Sequence, residues 1–63
     1  MSITFIASLF DEYERNDTQV KEIVNVFKNI DINFKELHLI DNRVSKEDAY
    51  KYIEKTDIVY LNQ

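Results

Sequence analysis

Asp11, Glu12 and Glu14 stand together in the stretch LFDEYERN, residues 9–16. Three neighbouring carboxylates suit a hard cation in principle. Oxygen-ligand sites, however, wrap their ligands in a tight turn that usually needs glycine, and this chain has no glycine. The acids therefore read as a solvated loop. His38 is the only histidine, and one imidazole cannot build a zinc centre. No cysteine or serine stands near it in sequence, so it reads as a structural or partly exposed residue rather than a general base. Cysteine is absent, which removes thiolate nucleophiles, thiolate ligands and disulfides. Asn16-Asp17-Thr18 matches a glycosylation sequon, but the same residues read better as a helix start. Ser45 is open to phosphorylation, yet the helical pattern that begins just after it makes it a cap. The residues assign no catalytic, cofactor-binding or metal-binding position.

Composition narrows the possible functions further. Glycine and proline are both absent, where average usage would put roughly seven in this length. The dinucleotide fingerprint and the P-loop need glycine where the backbone approaches phosphate, so neither exists here. The net charge is −4, with eight basic and twelve acidic residues mixed along the chain. A nucleic-acid surface needs clustered Lys and Arg, and that is not the pattern. The opening MSITFIASLF has no basic leader and too short an apolar stretch for a membrane span. A cytoplasmic protein without cofactor is expected.

Hydrophobic spacing gives the elements that must hold these residues. ITFIAS, residues 3–8, is a short apolar run of β-formers and predicts a central strand. Residues 9–16 predict a loop. Val20, Ile23, Val24, Phe27 and Ile30 form one apolar stripe on a helix over 17–30, capped by Asn16 or Asp17, with Gln19 completing a capping-box spacing. The helix should stop near Asn29 to Asp31. INFKELHLI, residues 32–40, predicts an edge strand interrupted by Lys35 and Glu36. DNRV, residues 41–44, is a turn, and Ser45 with Asp48 three residues later resembles a capping box. Ala49, Tyr52 and Ile53 then mark a second helix, with Tyr50 off the stripe. Ile58, Val59, Tyr60 and Leu61 form a continuous apolar run that predicts a strand buried on both faces. The order β-α-β-α-β predicts an α/β fold with a parallel sheet and right-handed crossovers.

That order carries a resemblance. ITFIAS, the helix ending VFKNIDINF, and above all IDNRVSKEDAYKYIEKTDIVYL, residues 40–61, resemble the opening of the peptidase E family. This family holds α-aspartyl dipeptidases and cyanophycinases, serine hydrolases on a flavodoxin-like scaffold shared with class I glutamine amidotransferases. The most specific match is a strand end, a capped helix, the pair Thr56-Asp57 and an apolar strand, in that spacing. The resemblance covers essentially the whole chain but only the first third or so of a family member. It implies a three-stranded parallel sheet in the order 2-1-3, half of a flavodoxin-like three-layer fold, with one truncated domain over residues 1–63. The residues alone leave 3-2-1 open. The family's serine, histidine and acidic partner lie in later segments, so none transfers to Ser2, Ser8, Ser45 or any other residue here. Two departures stand out. Asn62-Gln63 occupies the place of a glycine-rich turn, and Asp31 stands where the family usually has glycine.

Two functional expectations follow. The first is a fragment of a peptidase E-like serine peptidase, inactive alone. The second is a small interaction module that assembles as a homo-oligomer through an interface of Ile58, Val59, Tyr60 and Leu61, because an open apolar strand edge invites pairing. Neither nucleic acid nor membrane is an expected partner. A receiver-type phosphate binder is disfavoured because nothing acidic follows Leu61. Open α/β sheets bind ligands at the carboxyl ends of their strands, so any remnant of a site is expected near Ser8, Asp41, Asn42 and Asn62.

Overall fold

The computed structural model describes residues 1–62; of the pair Asn62-Gln63, the glutamine lies outside the described residues. The elements follow the expected order: β1 (Ser2–Ile6), α1 (Tyr13–Asn29), β2 (Glu36–Ile40), α2 (Lys46–Lys55) and β3 (Ile58–Leu61). The sheet order is β2-β1-β3, and both pairings are parallel. Strand β1 is central, with Ile3 facing Leu37 on one side and Ile58 on the other. Side chains alternate across a sheet, so Ile3, Phe5, Leu37, Leu39, Ile58 and Tyr60 share one face. Ser2, Thr4, Ile6, Glu36, His38, Ile40, Val59 and Leu61 share the other.

The first face holds the core. Ile3 and Phe5 are fully buried and pack with Val20 of α1. Ile23, Val24, Phe27, Phe34, Leu39, Ile58 and Tyr60 close around them. The Phe5 and Tyr60 rings lie 5.5 Å apart, and Phe27 meets Phe34 edge-on at 5.2 Å; tilted and edge contacts suit the ring quadrupoles. The expected stripe on α1 is thus the stripe that packs, apart from Ile30, which is exposed. Helix α2 covers the opposite face, where Tyr52 stacks flat on His38 of β2 at 3.8 Å. None of its residues is fully buried. One helix on each face is what the order 2-1-3 requires of two right-handed crossovers.

Several boundaries differ from the spacing-based reading. Helix α1 begins at Tyr13, so residues 13–16 are helical rather than loop. Glu12 occupies its N-cap without a side-chain capping bond. Asn16 and Asp17 cap nothing, because tertiary partners claim both side chains. The helix end follows expectation. Asp31 has φ 63°, the left-handed region that Asp tolerates less well than glycine. Asp31 N–H donates to the Lys28 carbonyl at 3.0 Å and Ile32 N–H to the Phe27 carbonyl at 2.9 Å, the paired bonds of a Schellman motif. Strand β2 starts only at Glu36. The broken alternation of INFKELHLI arises because Ile32 and Phe34 precede the strand, and Lys35 N–H is tied instead to the Met1 carbonyl at 2.9 Å. Ser45 caps α2, accepting from Asp48 N–H at 3.1 Å.

The largest correction concerns β3. Its four residues are not buried on both faces; they alternate between half-buried and exposed. Ile58 and Tyr60 face the core, whereas Val59 is 44% and Leu61 63% exposed. Helix α2 packs on β1 and, through Tyr52, on His38 of β2, and the second face of β3 stays largely open.

Candidate functional site

The carboxyl ends of β1 and β2 bring together residues from three parts of the chain. Asp41 follows the last residue of β2 and is 2% exposed. Its carboxylate accepts from Arg43 N–H at 3.0 Å, an Asx-type turn. It also accepts from Arg43 Nη2 at 2.7 Å, Arg43 Nε at 3.1 Å and Asn16 Nδ2 at 3.1 Å. Arg43 reaches on to Asp17 of α1, with Nη2 at 2.7 Å from its Oδ1, and lies 4.7 Å from the centre of the Tyr13 ring. Asn16, fully buried, uses its second amide hydrogen on the Leu9 carbonyl at 2.9 Å. Asn42 N–H donates to the Phe10 carbonyl at 2.9 Å. The β1–α1 loop, the first turn of α1 and the β2–α2 loop are thereby fastened to one another.

Electrostatics follow the same geometry. The Arg43 guanidinium, helped by Arg43 N–H and Asn16, holds the Asp41 carboxyl down to about 2, against the opposing effect of its burial. Arg43 also lowers Asp17, and the two carboxylates together raise Arg43. A carboxylate whose oxygens are all engaged by structural donors is not free to take a proton from a substrate. The cluster fastens loops and is not built for acid–base work.

The other expected positions do not join it as a reactive set. Asn62 donates from N–H to the Ile6 carbonyl and from Nδ2 to Gln19 Oε1, each at 3.0 Å, which ties the end of β3 to β1 and α1. Ser8 and Asn42 are exposed. Asp11, Glu12 and Glu14 are exposed, and no metal-holding group of three His, Asp or Glu side chains occurs among the described residues. At the amino end of the sheet, Ser2 N–H and Oγ donate to Asp57 Oδ2 at 2.8 and 3.2 Å, while Asp57 N–H donates back to Ser2 Oγ at 3.1 Å. These bonds lower the Asp57 carboxyl and fasten the entry of β3 to the start of β1.

Sequence reasoning missed Arg43 and Asn16 as network residues. Asn16 and Asp41 are 25 positions apart, and Asp17 and Arg43 are 26 apart. No local pattern marks such pairs. The remaining functional candidate is the edge of β3. Ile58, Val59, Tyr60 and Leu61 pair with β1 on one side and with no strand on the other among the described residues. Val59 and Leu61 leave an apolar strip along that edge.

Compared with protein-family models, curated proteins and solved structures, the chain gives no match. No helix among the described residues is long and apolar enough to cross a membrane.

Proposed function

We propose that these 63 residues form the opening β-α-β-α-β portion of a peptidase E-like serine hydrolase scaffold, carry none of its catalytic residues and have no peptidase activity alone. What supports the reading is the sheet order β2-β1-β3, the order of flavodoxin-like scaffolds, together with the strand of TDIVYL lying at its edge. In that scaffold the third strand has a neighbour on each side. The exposed Val59 and Leu61 are the positions such a neighbour and its covering layer would bury. The left-handed Asp31 at a family glycine position is consistent with it. The test is hydrolysis of Asp-X dipeptides by the purified chain. No turnover above a buffer control is expected, and activity that stays with the protein through successive purification steps overturns the reading.

A second reading is favoured by the same open edge: a homo-oligomeric interaction module in which two β3 strands pair antiparallel about a two-fold axis, giving one six-stranded sheet. A charged residue at the edge opposes such pairing. Val59→Glu, at a position already exposed, should therefore convert a dimer to a folded monomer by light scattering. Unchanged association in that variant would exclude this interface.

A further inference from the structure

The face of the sheet beneath α2 is unusual for a helix-covered layer. Its amino-terminal half is polar: Ser2, Thr4, Glu36 and His38 occupy successive positions there by alternation and register. Thr4 is fully buried, and its hydroxyl has no hydrogen-bond partner. Buried polar groups are ordinarily partnered. Between this half-face and α2 lies a cavity of about 230 Å³, lined by Ser2, Glu36, His38, Lys51, Tyr52, Lys55 and Thr56, but not by Thr4. Its size is below that of pockets for drug-sized ligands and suits a small ion with some of its water.

The acids around the cavity have partners within the protein, and its lysines have none among the described residues. Lys51 and Lys55 sit four residues apart on α2, so their ammonium groups fall on one side of the helix. Neither forms an ion pair among the described residues. His38 is held flat against Tyr52 at 3.8 Å, and its Nε2 is 3.9 Å from Glu36 Oε2. Glu36 is the carboxylate of the lining, and Asp57 lies behind Ser2, whose N–H and hydroxyl it takes; both acids have partners within the protein, whereas the two ammonium groups have none among the described residues. The two aliphatic hydroxyls of the lining are already committed: Ser2 Oγ to Asp57, and Thr56 Oγ1 to the Ile58 carbonyl at 3.0 Å. They contribute shape, and the lysines contribute the charge that recognises the ligand.

We infer that the cavity between α2 and β2, lined by Lys51, Lys55 and His38, is a binding site for a small oxyanion of the phosphate type. The site lies at the amino end of the sheet, away from the Asp41–Arg43 fastening and from the β3 edge, and does not depend on the hydrolase reading. The acid at its wall, Glu36, takes the imidazole as its partner and leaves the ammonium groups for the ligand.

The test is a two-dimensional NMR titration of the full chain with inorganic phosphate, against sodium chloride at matched ionic strength. Saturable shifts are expected at His38, Lys51, Tyr52 and Lys55, and not with chloride. The double variant K51Q/K55Q replaces two exposed side chains and leaves the core untouched, so a native-like spectrum is expected. Its affinity for phosphate should fall by about tenfold or more. Shifts that rise without saturation, that chloride reproduces, or that persist unchanged in K51Q/K55Q would overturn the assignment. A second variant, His38→Gln, keeps a polar side chain on β2 and should weaken binding less than the double lysine variant. Equal or tighter binding in both variants would also exclude the site.

Discussion

Two single residues show how differently a buried polar group can act in this small domain. Asp41 is buried with every donor it needs, and Thr4 is buried with none. The folded-state carboxyl of Asp41 is lowered from 3.8 to about 2. Its contribution to stability is therefore fully present above its ordinary value and is lost as pH falls from there through about 2. Acid titration of wild-type chain should show stability dropping over that window, and Asp41→Asn should flatten the drop. At neutral pH the same variant should cost about 1.5–3 kcal/mol, the range for hydrogen bonds to a charged group. Chemical denaturation at several pH values measures both. Thr4→Val is the opposite case. It removes an unpartnered hydroxyl at nearly constant shape from the central strand, and should stabilise by about 1 kcal/mol. A loss of stability in that variant would show that the hydroxyl has a partner.

At the scale of elements, the two helices are ended and begun by different devices. Helix α1 terminates in a Schellman motif whose left-handed residue is Asp31 rather than glycine. Asp31→Gly relieves that conformation and should raise stability by about 0.5–1 kcal/mol, part of the relief being offset by the freer unfolded chain. Helix α2 begins at a side-chain cap, Ser45 to Asp48 N–H. Ser45→Ala should cost about 1 kcal/mol, read as a lower denaturation midpoint with an unchanged slope. The cap matters because α2 buries no residue completely and draws little stability from packing; α1, which has a packed stripe, has no side-chain cap. Strand β3 sits at the other extreme of dependence. Its Ile58 and Tyr60 are held by the core on one face, and its Val59 and Leu61 have no cover.

For the whole molecule the governing fact is size. A domain of this length buries only about 60% of the surface its unfolded chain exposes, and typical values per residue put its stability at roughly 3–9 kcal/mol. The larger core lies between α1 and the sheet, and the α2 side is polar in its amino-terminal half. Burying the β3 edge against a second chain is one route to additional stability. Folding would then be coupled to association, and Tm should rise with protein concentration across about a hundredfold range. A Tm independent of concentration, with monomeric mass by light scattering throughout, would mean that three strands and one good core suffice.

Sequence alone determined the element types and their order, because periodicity is a local signal. Val20, Ile23, Val24 and Phe27 can form one face only on a helix, and Ser45 before Lys46 to Asp48 is a cap by covalent proximity. The left-handed stop at Asp31 was legible for the same reason. The sheet order came from resemblance rather than from any residue, since parallel register is a choice among distant segments. Tertiary structure decided what depended on long-range partners. It drew Asn16 and Asp17 away from capping and into bonds with Asp41 and Arg43, which let α1 start earlier than its apolar stripe. It stacked His38 on Tyr52 and left two lysines unpaired beside them. It also decided the burial of Ile58 to Leu61: an apolar run records which residues avoid water, but only the packing of α1 over Ile3 and Phe5 determines that Ile58 and Tyr60 are the covered face of β3.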